Sequence, residues 1–501
     1  MRIELIGLIV VLIGVWTVYR GLNFGLAALA LFSLLGASAA LILPALGGAS
    51  IQPAHLSLAF LSLTIAIRPA LIGVSFSSLN YPNPGFWFAT FVLYSVVTAV
   101  FMPRIFAGST VTYSLARGNE HHFILATPLR PTTTNITQAV YLLGDIICFA
   151  AAFASARLGE AGALVKAILI AGVLCAAFAF LDLATYATGT QELMDVIRNA
   201  NYRMLEDGEI QGFKRIVGSF SEAGAYGYAA LGFYAFALML WIENYPSRLA
   251  GPLALTLIVT ILLATSTTAY AATAFLSLGV LVYCVSAIFS RRANSRHLLY
   301  VLICVVAIPV GIAIASMMPE VRDSVLGLFE RTVVNKLDSQ SGEERMRWND
   351  QALISFADTA GLGGGLGSIR TSSFVVALLS NVGLPGTLIF VLFFISLARL
   401  ALAETRKRTL DPVVIAGLTS CFALIAAAAI SAGAVDLGIM FCLYAGLATG
   451  LAMGARTVWQ LTPPAYAQAW IGSTSTALQA ASPRRPRPVR MGRLSSTGGR
   501  S

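Results

Sequence analysis

Four residues in this sequence have the types that handling a phosphate leaving group requires: Arg215, Glu222, Arg345 and Arg370. Arginine keeps its charge at any physiological pH, and its planar fork offers two parallel hydrogen bonds to a phosphate. Arg215 and Glu222 share the run GFKRIVGSFSEAGAYGY, where Lys214 is a further anion-binding candidate. Glu222 stands at the mouth of an apolar helix and has two readings. It is an acid favoured by the helix dipole, or a general base at the edge of low-dielectric surroundings. Arg345 and Trp348 fall in SGEERMRWND. Arg347, two positions from Arg345, cannot face the same way on a helix and reads as solvated or lipid-facing. Trp348 is either a membrane-interface ring or a platform for a sugar. Ser368 and Arg370 close the glycine-rich run GLGGGLGSIR. The apolar helix expected from about Ser372 presents free N–H groups there, where an anion can dock. Together these residues suit a phosphate-bearing ligand held at a membrane surface.

The elements that must position them follow from the flanking residues. Ser341 with Glu344 three positions later has the form of a capping box and predicts a helix start. Gly361, Gly363, Gly364, Gly365 and Gly367 end that helix, and let the backbone either turn tightly or approach a ligand closely. Asn381, in LLSNVGLPG just beyond, joins the substrate-binding candidates. A third polar segment holds Arg117, Glu120, His121, His122 and Arg130, then PLRPTTTNITQAVYL. Arg130 and Asn135 are candidates to orient a sugar or phosphate. The adjacent histidines have no partner at zinc spacing, so no metal is expected.

The chain has 501 residues, 57% of them hydrophobic and 11% charged, with mean hydropathy +0.79. A soluble protein carries about 25% charged residues. Apolar runs near 3–19, 24–47, 54–77, 85–106, 136–157, 163–187, 223–243, 249–267, 268–290, 298–317, 372–401, 413–431 and 434–454 predict an all-α polytopic membrane protein. Each is close to the roughly 20 residues that span a bilayer. The face-value count is thirteen, or twelve if the first run or the hairpin near Ser266 is misjudged. A transmembrane barrel, which needs alternating strands, is excluded. Basic residues in short loops place Arg20, Arg291 to Arg296, Arg406 to Arg408 and the tail in the cytoplasm. Segments 107–135, 188–222 and 318–371 then share the opposite face, where their polar residues can converge. Residues 1–454 form the membrane domain, and 455–501 read as a basic, disordered cytoplasmic tail. The net charge of +10 is concentrated in that tail, which points to anionic lipids and not to nucleic acid. The six cysteines lie in apolar runs and read as small buried residues. Arg68, Asp145, Asp182 and Asp436 are costly at membrane depth and need partners or a wet cavity. Pro69 after Arg68 predicts a broken helix.

RIVGSFSEAGAYGYAALGFYAFAL, LLATSTTAYAATAFLSL and SGEERMRWND…GLGGGLGSIRTSS…LLSNVGLPG, in that order, resemble the O-antigen ligase-like family, over roughly residues 130 to 450. That family includes O-antigen ligases and the polymerases of O-antigen and exopolysaccharide. The resemblance implies a GT-C-like glycosyltransferase architecture, with short helices in the periplasmic loops. It implies an inverting, metal-independent enzyme of the bacterial inner membrane, with no cofactor and an active site facing the periplasm. The donor would be a glycan on undecaprenyl pyrophosphate, bound by Arg215 and Arg345 with Arg370 as a further ligand. A glycan acceptor, a chain-length regulator and export machinery would be its partners. Many ligases carry a His where this chain reads Arg370-Thr371-Ser372-Ser373. That departure favours a polymerase over a lipid A-core ligase and leaves Glu222 as the candidate base. A flippase or other transporter is the competing class, which predicts mid-membrane charges and internal symmetry.

Overall fold

The computed structural model describes residues 2–43, 49–117, 122–200, 209–210, 213–317, 340–407 and 409–454. The expected tail, Glu120, His121 and the first part of segment 318–371 lie outside them. The helices, in order, are α1 (Leu5–Arg20), α2 (Leu22–Phe32), α3 (Pro53–Ala66), α4 (Pro69–Ser77), α5 (Pro84–Ile105) and α6 (Thr133–Arg157). They continue as α7 (Ala161–Thr188), α8 (Ala223–Ile242), α9 (Ala250–Leu263), α10 (Thr267–Phe289) and α11 (Ser295–Ile314). The last four are α12 (Gln340–Asp358), α13 (Phe374–Thr405), α14 (Pro412–Ile430) and α15 (Ile439–Ala452).

Among the described residues eight of these, α5, α6, α7, α8, α10, α11, α13 and α14, are long and apolar enough to cross a membrane. The chain is therefore a mostly helical, multi-pass candidate; among the described residues eight helices, or nine if α3 and α4 form one bent span, pass that test, against twelve or thirteen expected. Hydropathy runs on through turns that the backbone makes. α2 has only 11 residues, because helix gives way at Ser33 to a turn. α1, α9 and α15 have 16, 14 and 14 residues, short of the roughly 20 that a bilayer needs. The run at 54–77 breaks where the Arg68-Pro69 pair predicts, and α3 and α4 meet at 109°. Proline disfavours helix at the residue before it, and Arg68 is extended there (φ −122°, ψ 95°). Its guanidinium donates to the carbonyls of Thr64 (3.0 Å) and Val18 (2.7 Å). The charge is thus spent on the carbonyl ends of α3 and α1.

The most enclosed of the eight is α8, packed against α9, α14 and α10. α6 and α15 approach closely: a Cβ on Gly446 would lie 2.3 Å from the Phe149 carbonyl oxygen. Small residues at such positions let helix backbones approach and gain dispersion contact, the main attraction between helices in lipid.

The connecting segments are not wholly helical. Strands β1 (Arg2–Ile3), β2 (Leu41–Leu43) and β3 (Ala49–Ile51) form a small antiparallel sheet. β4 (Val111–Arg117) and β5 (His122–Pro128) form a hairpin with Val111 opposite Pro128, which is where the third polar segment of the sequence goes. β6 (Glu209–Ile210) pairs with β7 (Phe213–Lys214) just before α8.

Candidate functional site

The loop that carries Arg215 and Glu222 is held from behind by a buried ion pair. Asp182, near the end of α7, lies 2.6 Å from Arg198 Nη2, with the two side chains 2% and 3% exposed. The other oxygen of Asp182 accepts from the backbone N–H groups of Val217 (2.8 Å) and Gly218 (3.0 Å). Arg198 Nε also donates to the Gly218 carbonyl at 2.9 Å. A costly intramembrane carboxylate thereby finds its partners. Asp182 is a structural pin, and Arg198, which the sequence analysis did not single out, completes it.

From this anchor the chain presents Arg215 and Glu222. Arg215 is half-buried and its Nη2 lies 3.4 Å from the Thr265 carbonyl oxygen, in the turn before α10. Its Nε is buried and has no hydrogen-bond partner among the described residues. Burial lowers the Arg215 pKa from its ordinary value; the charge of Glu222 opposes this, and the like charge of Arg345 adds to it. Glu222 and Arg345, from two distant parts of the chain, are therefore each within electrostatic reach of Arg215. Glu222 takes the residue position that caps α8, but its carboxylate makes no capping hydrogen bond. It lines a cavity instead.

Arg345 lies on α12, which docks through the opposite part of its length. Gln351 Nε2 donates to the Val111 carbonyl at 2.9 Å, and Thr110 Oγ1 to Ser355 Oγ at 3.1 Å. Asn349 accepts from the Ser372 N–H at 2.8 Å and so takes one of the free donors expected at that helix start. Trp348, one turn after Arg345 and so on its side of the helix, lies under the Arg370 guanidinium at 4.3 Å. One face of the indole is thus committed to a cation–π contact. Ser341 is already inside α12 and is not its cap. The helix ends as expected, with the Gly361 N–H returning to the Phe356 carbonyl at 2.9 Å.

The glycine-rich run serves the protein's own packing. Gly365 has φ +98°, and a Cβ there would lie 2.5 Å from Pro103 Cδ. Gly383 has φ +67°, and its Cβ would meet the Leu362 carbonyl carbon at 2.4 Å. The loop is laced to α13 by Gly364 N–H to Ser380 O (2.8 Å) and Gly365 N–H to Asn381 O (2.9 Å). Asn381 spends its amide on the same loop, accepting from Ile369 N–H (3.1 Å) and donating to Ile369 O (3.0 Å) and Ala377 O (3.2 Å). It also lines the second of the cavities described below. Asn135 likewise caps α6 and donates to Leu366 O and Ser368 Oγ, both at 2.7 Å. Lys214 is buried with its ammonium 5.2 Å from the Tyr186 ring and lines neither of the cavities below.

Two cavities open beside these groups. The first, about 520 Å³, is lined by Glu222, His55, Gln138, Tyr228 and Asp436 among others. The second, about 480 Å³, is lined by Arg130, Ser368, Arg370 and Asn381. Gln138, Gly433 and Ala434 belong to both walls, so the two adjoin. Asp436 accepts from the Gly438 N–H at 2.5 Å, and Asp145 is buried, its Oδ1 without a hydrogen-bond partner among the described residues. Among the described residues no group of three or more His, Cys, Asp or Glu is placed to hold a metal ion.

Of the residues that the sequence analysis picked, Glu222 lines the first cavity and Arg130, Ser368, Arg370 and Asn381 line the second, whereas Arg215, Arg345, Trp348 and Lys214 line neither. His55 and Gln138 were not picked; a lone His in PAHLSLAF and a lone Gln in a helix carry no sequence signal of their neighbours. No family model matches the chain, and no curated protein matches it.

Proposed function

We propose that this protein is an inner-membrane polysaccharide polymerase. It takes a glycan from undecaprenyl pyrophosphate and joins it to a sugar hydroxyl of another lipid-linked repeat unit at the periplasmic face. The observation that carries this reading is Arg215 within electrostatic reach of Glu222 and Arg345, with Glu222 on the wall of the first of two adjoining cavities and Arg370 on the wall of the second. Pyrophosphate is a good leaving group once its growing charge is balanced. Fixed guanidinium groups in a partly desolvated site balance it without reorganising. The buried, unpartnered Nε of Arg215 is a donor that a phosphate oxygen would satisfy. Arg370, held in place by Trp348, extends the cationic wall into the second cavity. Glu222 faces the first cavity and takes the acceptor proton as the new glycosidic bond forms and the bond to pyrophosphate breaks. Direct displacement of this kind inverts the anomeric carbon.

The test is polymer output from a deletion strain complemented with wild type, Arg215→Ala, Arg345→Ala or Glu222→Gln at matched protein levels. Loss of one charge-stabilising donor lowers turnover by about 10²–10³-fold. The expected result is loss of long polysaccharide with accumulation of single lipid-linked repeats. Polymer that forms but fails to reach lipid A-core would make the protein a ligase. Wild-type behaviour of all three variants would overturn the site and favour a transporter.

A further inference from the structure

The reaction proposed above leaves one buried group of the first cavity without a task. His55 stands in the first turn of α3, its ring stacked on Tyr141 of α6 with centroids 3.9 Å apart and planes at 25°. Both imidazole nitrogens are closed to solvent, and neither has a hydrogen-bond partner among the described residues. Gln138, three positions before Tyr141 on the same face of α6, has its Oε1 buried and unpartnered as well. Both side chains line the cavity. A buried polar group left without a partner is destabilising, and a bound ligand with matching donors and acceptors would recover that loss.

The chemistry of the walls selects the ligand. A neutral imidazole donates from one nitrogen and accepts at the other, and an amide oxygen accepts. A partner for both needs hydroxyl groups, which do each. The carboxylates of Glu222 and Asp436 line the same space, and the Asp436 charge reaches His55, so an anion is disfavoured. Tyr228 and Phe220 add aromatic surface, against which the C–H face of a sugar ring can pack. The volume of about 520 Å³ lies within the usual range for small-ligand sites.

We propose that this cavity is the acceptor pocket: a neutral saccharide is held by hydrogen bonds from its hydroxyls to His55 and Gln138, with one hydroxyl turned toward Glu222. The proposal rests on the polymerase reading and deepens it. It separates the acceptor, in the first cavity, from the pyrophosphate at the arginines and the second cavity.

The test uses the full chain in nanodiscs, with lipid-linked repeat units purified from the deletion strain as donor. The acceptor is the same repeat on a phosphonate, which can accept but cannot leave. His55→Phe keeps a ring against Tyr141 and removes both nitrogens; Gln138→Met keeps the length and removes the amide. The expected result is an acceptor KM raised about tenfold in each variant, the equivalent of one lost hydrogen bond, with the donor KM unchanged. Should His55→Phe fail to fold, Gln138→Met reads the same split. Transfer by the wild type with an unmoved acceptor KM in the folded variants overturns the acceptor pocket alone. A donor KM that rises in place of the acceptor KM overturns it too. A wild-type chain that transfers nothing overturns the polymerase reading and this proposal with it.

Discussion

Replacing Asp182 by Asn strikes at the anchor of the site without touching Arg215 or Glu222. The carboxylate accepts three hydrogen bonds, from Arg198 Nη2 at 2.6 Å, Val217 N–H at 2.8 Å and Gly218 N–H at 3.0 Å. Asn keeps the volume and one acceptor, loses the charge, and turns an NH₂ toward groups that are themselves donors. Removing one member of a buried ion pair costs about 3–5 kcal/mol, because the other charge stays buried and uncompensated. That corresponds to a shift of about two to three and a half orders of magnitude in the equilibrium holding the 217–218 turn. The full chain is unfolded with SDS in mixed micelles, comparing wild type, Asp182→Asn, Arg198→Met and the double variant Asp182→Asn/Arg198→Met. Both single variants should be strongly destabilised. The double variant, with no charge left to strand, should recover most of the loss and give a coupling energy of about 3 kcal/mol. A single variant as stable as wild type, or a double variant whose loss is the sum of the two singles, would refute the pin.

Two further perturbations follow from the same geometry. Gly365→Ala forces a Cβ into Pro103 at a left-handed φ, and strain of that kind costs about 1–3 kcal/mol before the clash is counted. Gly108→Ala, also left-handed (φ +77°) but with open space around it, should carry the strain alone, and a smaller drop in its unfolding midpoint than Gly365→Ala checks the difference. Trp348→Leu removes the ring beneath Arg370, a contact of about 0.5–2 kcal/mol. The donor KM should rise several-fold while the folded fraction by size-exclusion chromatography stays at the wild-type level.

The membrane-crossing helices were the most legible part of the chain, because a bilayer demands length and apolarity and both are written in composition. The breaks were less so. Ser33, and the non-helical stretch between Ile430 and Ile439, interrupt runs that stay apolar, and hydropathy cannot see a change of backbone angle. The Arg68-Pro69 break was visible because proline acts locally. At the candidate site, Arg215, Glu222 and Arg345 stood out because charged residues make up only 11% of the chain, and the fold puts Glu222 and Arg345 within electrostatic reach of Arg215. Lys214 and Asn381 looked equally suitable, yet each is spent on a neighbour, Tyr186 in one case and the Ile369 backbone in the other. Which partner a polar side chain finds is a tertiary matter. The same holds for Arg198 with Asp182, and for His55, whose buried nitrogens become meaningful only beside Gln138.

The crowding around Gly365 and Gly383 has a consequence for how this protein changes over generations. At both positions any side chain would be pressed into the chain's own backbone or a proline ring, and at both φ is left-handed. Substitution there is penalised whatever the ligand, whereas under the proposed function an arginine on the cavity wall is constrained only for as long as the ligand carries a phosphate. The two glycines should therefore drift more slowly than the charged residues that they help to place. Kinship to this chain, when its overall resemblance has worn away, is best sought in the spacing of those glycines.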